Sequence, residues 1–280
     1  MKIAVINFSG NVGKTTVARH LLAPRIPGAE VIAVESLNAG DTEAQALRGR
    51  QFGELQEYLQ TVESVVVDIG ASNVEDLLAL MRRYEGSHED FDCFVVPTVG
   101  ALKQQQDTIA TLVELSRLGV AAPHLRLLFN MVDGNLPVHL AFAPLLEFVA
   151  QQPIALADTR CYLGINEIYQ RIKGSGADLM SLARDGSDYK AQIAHATTTA
   201  EKLSLAQKLA TQRLARRGRL VHAAGSSAIS GERTQQDCRS SAWKQASSSG
   251  TTPRARRCVA SLCASESFSA VVVAWAICAL

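Results

Sequence analysis

The stretch from Lys2 to Leu22 reads KIAVINFSGNVGKTTVARHLL, and it decides the fold. An apolar run, Ile3 to Phe8, leads into a glycine-containing turn, and Gly13-Lys14-Thr15-Thr16 then opens a helical pattern. This order is typical of a phosphate-binding loop, in which successive backbone N–H groups and a helix N-terminus surround phosphates. The usual pattern also has a glycine where this chain has Phe8, so the sequence predicts a variant loop.

Each part of the loop has an expected task. Gly10 and Gly13 can adopt the positive φ that such a turn demands. Lys14 is expected to reach the terminal phosphates, and the Thr15 hydroxyl is expected to ligate Mg²⁺. A chance glycine-rich turn is the alternative interpretation. The predicted nucleotide-binding residues of the loop are Ser9, Gly10, Asn11, Val12, Gly13, Lys14, Thr15 and Thr16.

A second candidate lies in SVVVDIGAS, where Asp68 ends an apolar run. In P-loop proteins an acid at this place sits beside the magnesium ion, directly or through water. The alternative is a helix-capping or turn residue. The sequence therefore predicts Asp68 as a magnesium ligand and, together with Lys14, as a catalytic residue.

A third candidate lies in LLFNMVDG, where Asn130 and Asp133 follow the last apolar strand pattern. Asn130 can pair with a purine edge, and Asn-x-x-Asp is the skeleton of a guanine-reading motif. That motif has a lysine where this chain has Met131, and a turn at Gly134-Asn135 also explains Asp133. These residues alone therefore leave both adenine and guanine nucleotides open.

Apolar runs alternate with amphipathic stretches along the chain, which predicts a doubly wound α/β fold with a mainly parallel sheet and the ligand at the carboxyl ends of the strands. Gly119 is a predicted C-cap, and Ser72 or Asn73 is a predicted N-cap. The predicted strands are 2–8, 30–36, 64–70, 91–97 and 125–132, with a candidate sixth at 153–157, and the predicted helices are 15–22, 53–60, 74–84, 101–119 and 138–151.

Three regions follow from these patterns. Residues 1–160 form the predicted nucleotide-binding core, and 161–222 form a helical C-terminal part of the same domain. Residues 223–280 are rich in Ser, Ala, Arg and Cys without a persistent period, which predicts a disordered tail. A basic arm around Arg254, Arg256 and Arg257 is the alternative for part of this tail.

The composition excludes some classes of function. The formal net charge of the 280 residues is +1, so no bulk attraction to nucleic acid or membrane is expected. The apolar run 270–280 is far shorter than the ~20 residues that cross a bilayer, and residues 3–8 are too short for a secretory signal. The six cysteines show no zinc-site spacing. A cytoplasmic protein with reduced thiols is expected.

Four segments in this order, NFSGNVGKTT, VVVDIGASNVEDLL, FVVPTVG and FNMVD, resemble the ParA/MinD class of deviant-Walker P-loop ATPases. The match is closest to the StbB-type plasmid-stability proteins and covers about residues 1–215. The resemblance implies ATP-dependent homodimerisation, slow hydrolysis, and a role in plasmid stability, segregation or conjugative transfer. It also implies a plasmid-encoded DNA-binding partner protein.

The chain departs from that family's pattern at two places. Ser9 stands where the family has a lysine that reaches the partner's phosphates across the dimer. After the second strand the family has two acids, and here Glu35 fills the first place while Leu37 fills the second. Asn38 and Asp41 follow nearby, but their spacing does not match the second acid. Glu35 is therefore a candidate catalytic residue, and weaker stabilisation of the transferred phosphoryl group is expected.

The segment 198–224 predicts a helix with a basic end, which could lie on DNA or on an anionic membrane. The alternative is a final helix that packs through Leu203, Leu209 and Leu214.

Besides a nucleotide-gated switch, two other functions stay open. One is a non-hydrolysing scaffold that binds nucleotide, and the other is a small-molecule kinase or ligase on the same fold.

Overall fold

The computed structural model describes residues 1–34, 43–173, 175, 177 and 179–218. Several expectations fall elsewhere in the chain. Glu35, Leu37, Asn38 and Asp41 lie outside the described residues, and so does the tail predicted for 223–280.

Six parallel strands form one sheet, in the spatial order β2-β3-β1-β4-β5-β6. The first strand therefore lies at the centre, with β3 on one side and β4 on the other. Chain order reverses around β1, which is the place where doubly wound sheets bind their ligands. The strands are β1 (Lys2–Val5), β2 (Glu30–Val34), β3 (Val65–Ile69), β4 (Cys93–Thr98), β5 (Leu125–Val132) and β6 (Tyr162–Gly164).

Helices follow the strands, as the alternating pattern predicts. α1 (Lys14–Thr16) continues into a π-helical stretch (Val17–Leu22). The helix Leu102–Leu118 (α4) ends where Gly119 adopts a left-handed conformation. The Gly119 N–H bonds to the Leu115 and Ser116 carbonyls, so Gly119 is the C-cap, as predicted. The next helices are α2 (Glu43–Thr61), α3 (Val74–Arg83), α4 (Leu102–Leu118), α5 (Val138–Ala141) and α6 (Ala143–Gln151).

The main hydrophobic core covers one face of the sheet. Alternate strand residues point into it, among them Ala4, Val67 and Phe94, because successive side chains of a strand alternate between faces. Helices α2, α3, α4 and α6 supply the opposing side chains. The π-helical stretch lies against β3, and its buried residues are not part of this cluster. The doubly wound α/β prediction is confirmed.

Two element predictions are corrected. The sixth strand is Tyr162–Gly164 and not 153–157, where only Leu156 forms an isolated bridge, to Arg126. The predicted helix 138–151 is broken at Phe142, whose ψ is 23°. The break has a physical reason: Pro144 has no N–H for an intrahelical bond to the Leu140 carbonyl.

The chain divides into two compact units, Met1–Gly164 with the sheet and Ile165–Val221. The second unit contains four helices among its described residues. Ile168, Leu179 and Ala215 belong to its own small core. Its helices are α7 (Ile168–Ile172), α8 (Leu179–Arg184), α9 (Tyr189–His195) and α10 (Thr199–Gly218).

Within the described parts of the chain, none of the helices combines the length and the apolar character that a bilayer crossing requires.

Candidate functional site

The loop between β1 and α1 lies at the carboxyl end of the central strand. The Ile6 N–H donates to the Val95 carbonyl at 3.1 Å, after which the chain leaves the sheet. Two residues with positive φ then turn it, Asn11 at 58° and Gly13 at 84°. The Val17 N–H bonds to the Gly13 carbonyl at 2.9 Å and closes the first helical turn.

Only glycine fits at position 13. A Cβ added to Gly13 would lie 2.3 Å from Asn130 Nδ2, and its φ lies in the region that L residues avoid. Gly10, by contrast, has no positive φ, and a Cβ there would have no neighbour within 4 Å. The loop is therefore held tightly at its C-terminal end and is open at its tip.

The loop's backbone N–H groups are left available. As far as the described residues go, no backbone carbonyl accepts from the N–H groups of Gly10 to Gly13. Gly10 and Asn11 are exposed at the tip, while Val12 is buried. Unpaired N–H groups that precede a helix are the donors that a phosphate requires.

Lys14 is 8% exposed and lies inside the loop. Its ammonium donates to the Ser9 carbonyl at 2.7 Å and to the Asn7 carbonyl at 3.1 Å. Burial lowers the pKa of Lys14 to about 8, and the negative charge of Asp68 acts in the opposite direction. Among the described residues, the direct hydrogen-bond acceptors of this ammonium are neutral carbonyls, and a partly desolvated ammonium of this kind is a favourable site for an anion, because an anion adds countercharge.

Asp68 lies on β3 directly beside β1, in register with Val5, and its side chain is buried. Thr15 is exposed at the start of α1, and Thr16 is half-buried behind it. A carboxylate and a hydroxyl are oxygen ligands that Mg²⁺ accepts, and Mg²⁺ often binds one or two carboxylates together with substrate phosphates. Asp68 and Thr15 therefore fit the chemistry of a magnesium ion held next to a bound phosphate.

Asn130 lies beside the loop, at the end of β5. Its side-chain Nδ2 donates to the Val12 carbonyl at 2.8 Å, and its Oδ1 accepts from the Met131 N–H at 2.9 Å. Asn130 thus fastens the loop to β5, a contact that the sequence did not predict. Met131 has a φ of 52° and an exposed side chain whose Cε approaches Gly13.

Asp133 lies farther out, in an exposed turn. Its Oδ1 accepts from the backbone N–H of Asn135 at 3.1 Å and from the Asn135 side chain at 2.8 Å. This geometry fits the turn interpretation of Asp133.

The end of β2 is fixed against the segment that follows Asp68. The Val34 carbonyl accepts from the Gly70 N–H at 3.1 Å and from Asn73 Nδ2 at 2.6 Å. Asn73 occupies the predicted N-cap position of α3, but its side chain makes no capping hydrogen bond. The side-chain amide of Asn73 instead bonds to Val34, the residue that precedes Glu35.

Sequence reasoning missed several buried polar residues around the loop. Asn7, Thr108 and Thr111 are completely buried and form hydrogen bonds with one another. Three successive glutamines, Gln104 to Gln106, suggest a solvated helix face in the sequence, yet Gln105 is 3% exposed and donates to the Gly100 and Ala141 carbonyls. A usable signal existed: Gln105, Thr108 and Leu112 share one helical stripe that continues into the apolar core.

The basic helix α10 fits the packing interpretation of its sequence only in part. Leu214 packs against the core of the second unit, whereas Leu203 is 61% exposed. Lys202, Lys208 and Arg213 are exposed along the same helix. The packing interpretation therefore holds for Leu214 and not for Leu203.

Comparison with known proteins finds similarity among solved structures. No model of a protein family matches the sequence, and a search of curated proteins finds no match. Among solved structures, the chain is similar to the MinD cell division protein of Aquifex aeolicus, with a TM-score of 0.45 and 11% sequence identity. The similarity covers 77% of this chain and 95% of that one.

Proposed function

We propose that this chain is a magnesium-dependent nucleotide-binding switch with ATP as its favoured nucleotide. The observation that carries the proposal is the state of Lys14. Its ammonium is largely buried and donates to the loop carbonyls of Asn7 and Ser9, and the neighbouring N–H groups of Gly10 to Gly13 have no backbone acceptor among the described residues. A polyphosphate would accept from these donors together and add negative charge beside the ammonium.

The proposed roles follow the positions of the side chains. Lys14 and the loop from Ser9 to Thr16 would hold the phosphates. Thr15 and Asp68 would hold Mg²⁺, which neutralises phosphate charge when it is bound. Glu35 is the proposed further catalytic acid, and Asn130 and Asp133 are proposed near the base. GTP remains the competing nucleotide because Asp133 can accept hydrogen bonds from guanine.

The wider role is proposed from the order of the motifs. We propose a switch of the ParA/MinD type with slow ATP hydrolysis, a nucleotide-dependent homodimer, and a plasmid-encoded DNA-binding partner. Plasmid stability, segregation or conjugative transfer is the process that this resemblance favours. The cytoplasm is the proposed location.

A second candidate function has its own support. Ser9 occupies the place of the lysine that family members extend to the partner's phosphates, and its carbonyl instead holds Lys14 at 2.7 Å. A chain without that cross-dimer cation would lack charge stabilisation in the transition state. This favours a scaffold that binds nucleotide without turning it over.

Two measurements on the full chain test the proposal: the affinity for ATP with and without Mg²⁺, and phosphate release. Asp68→Asn and Thr15→Ala are expected to weaken binding in Mg²⁺ and to change it little in EDTA. A matched control is Glu89→Gln, since Glu89 is exposed in the segment before β4, at the opposite end of the strands from the loop. Equal Mg²⁺ dependence in all four proteins would contradict the metal roles. Tight binding without phosphate release would favour the scaffold.

A further inference from the structure

Asn7 has an unusual position for a polar side chain. It follows the central strand in the apolar run VINF and is 0% exposed. Both of its amide protons are used: Nδ2 donates to the Pro97 carbonyl at 2.9 Å and to Thr108 Oγ1 at 2.8 Å. Its Oδ1 accepts from the Ser9 N–H at 2.8 Å. These partners fix which end of the amide faces the sheet, because a carbonyl can only accept.

The reason for this arrangement lies in β4. Ile6, directly after β1, is the last residue of this segment whose backbone bonds to β4, and its N–H donates to the Val95 carbonyl. In a regular parallel ladder, residue 97 would next donate its N–H to Ile6, and Phe8 would donate to the carbonyl of residue 97. Residue 97 is a proline, which has no N–H, so the ladder stops there. Asn7 Nδ2 takes the Pro97 carbonyl in place of a backbone donor, and the loop can depart from the sheet.

Helix α4 completes the contact. The Phe8 N–H, which the ladder no longer uses, donates to Thr111 Oγ1 at 3.0 Å. Thr108 and Thr111 also donate to the carbonyls one turn back, Gln104 and Asp107, so their oxygens face the loop as acceptors. Three successive residues of the loop, Asn7, Phe8 and Ser9, thus depend on two hydroxyls of one helix.

The same residues carry the contacts of Lys14. Its ammonium bonds to the carbonyls of Asn7 and Ser9, the two residues that the Asn7 side chain joins. We propose that Asn7, held by Thr108 and Thr111, is a positioning residue that keeps the loop in its phosphate-binding conformation and ties it to α4, a role that rests on the proposed nucleotide function.

The test uses the full chain with Thr111→Val and Thr111→Ser as a matched pair. Valine keeps the shape and removes the acceptor of the Phe8 N–H, while serine keeps the hydroxyl. Two readouts are measured: the exchange rate of the Phe8 and Ser9 amides without ligand, and the dissociation constant for ATP in Mg²⁺. Leu115→Val, a core change on the same helix, controls for a general loss of stability.

Thr111→Val is expected to speed Phe8 amide exchange and to raise the dissociation constant, each by about tenfold, since a buried N–H loses its partner. Thr111→Ser is expected to restore both to within about twofold. Leu115→Val is expected to change neither. Thr108→Val, which removes an acceptor of Asn7 Nδ2, is expected to act in the same direction as Thr111→Val.

Wild-type readouts in Thr111→Val, or a failure of serine to restore them, would overturn the positioning role. An effect of Leu115→Val equal to that of Thr111→Val would overturn it as well. If the wild-type chain binds no nucleotide, the proposed function is wrong, and the ligand-free exchange rates alone then decide whether α4 positions the loop.

Discussion

At the scale of single residues, Gly13 is the position where the backbone tolerates least. Its φ is 84°, and an added Cβ would meet Asn130 Nδ2 at 2.3 Å. Gly13→Ala is therefore expected to lower the free energy of unfolding by about 2–4 kcal/mol, from left-handed strain and overpacking. Urea unfolding of the two proteins measures the difference.

Gly10→Ala is the control for that change, because the Gly10 site has open space and no positive φ. The free energy of unfolding of the Gly10→Ala protein is expected to lie within about 0.5 kcal/mol of the wild-type value. Equal stability of the Gly13→Ala and Gly10→Ala proteins would show that the loop does not have the described conformation.

The ionisation of Lys14 predicts how the affinity for ATP depends on pH. Its pKa in the ligand-free protein is lowered to about 8 by burial. A phosphate favours the protonated ammonium, so binding raises this pKa, and affinity is greatest below it. The dissociation constant for ATP is expected to rise by up to about tenfold per pH unit above pH 8.

A titration series from pH 6.5 to pH 9.5 measures this dependence. Lys14→Ala lacks the titrating group and is expected to bind weakly with a flatter profile. A wild-type dissociation constant that stays constant across pH 8 would rule out Lys14 as the main phosphate ligand.

At the scale of elements, Gln105 joins three segments of the chain. Its Nε2 bonds to the Gly100 carbonyl after β4 and to the Ala141 carbonyl at the end of α5, at 2.8 and 2.9 Å. Its side-chain oxygen, Oε1, accepts from the Leu145 N–H of α6 at 3.4 Å. Gln105→Ala leaves these groups unpaired and is expected to cost about 1–3 kcal/mol of stability.

The neighbouring Gln106 is exposed and provides a control of the same residue type. Gln106→Ala is expected to change the free energy of unfolding by less than about 0.5 kcal/mol. Thermal or urea unfolding compares the two variants. If the Gln105→Ala protein were as stable as the Gln106→Ala protein, the stabilising role of the Gln105 side chain would be contradicted.

The sequence was sufficient wherever the signal was local. The strand–loop–helix around Lys14 was predicted because the motif and both flanking patterns lie within 21 neighbouring residues, Lys2 to Leu22. The strand Tyr162–Gly164 was missed because three residues carry no readable period. Its pairing with β5 is a tertiary contact.

The polar contacts around the loop were missed for a related reason. Asn7 and Thr108 are 101 positions apart, and Asn130 and Val12 are 118 apart, so no local spacing links them. What the sequence did contain was a pattern of polar residues at buried positions: Asn7 in an apolar run, and Thr108 and Thr111 on the inner face of α4. Such residues need buried partners, and here the partners belong to the loop that follows β1.

At the scale of the whole molecule, large apolar side chains lie exposed in the segments that follow β4 and β5, at the sheet edge that carries the loop. Leu102 is 58% exposed, Leu136 46% and Leu140 55%. Exposed apolar side chains in the segments at one end of the sheet make that end a candidate protein-binding surface. This edge is therefore the proposed contact of a nucleotide-dependent homodimer.

Leu140→Asp tests that surface, with Leu203→Asp as the control at another exposed leucine. Light scattering with a non-hydrolysable ATP analogue is expected to show a dimer for the wild type and for Leu203→Asp, and a monomer for Leu140→Asp. Nucleotide affinity should be retained at low protein concentration. One and the same mass for all three proteins, with and without nucleotide, would contradict the dimer.

The most direct test of the phosphate site is the affinity of the full chain for ATP in Mg²⁺, measured beside Lys14→Ala and Lys190→Ala. Lys14 is buried in the loop, while Lys190 is exposed on α9. Lys14→Ala is expected to raise the dissociation constant by about tenfold to a hundredfold, because charge-assisted hydrogen bonds to phosphate are lost. Lys190→Ala is expected to bind like the wild type. No measurable affinity in the wild type, or equal affinity in all three proteins, would contradict the account.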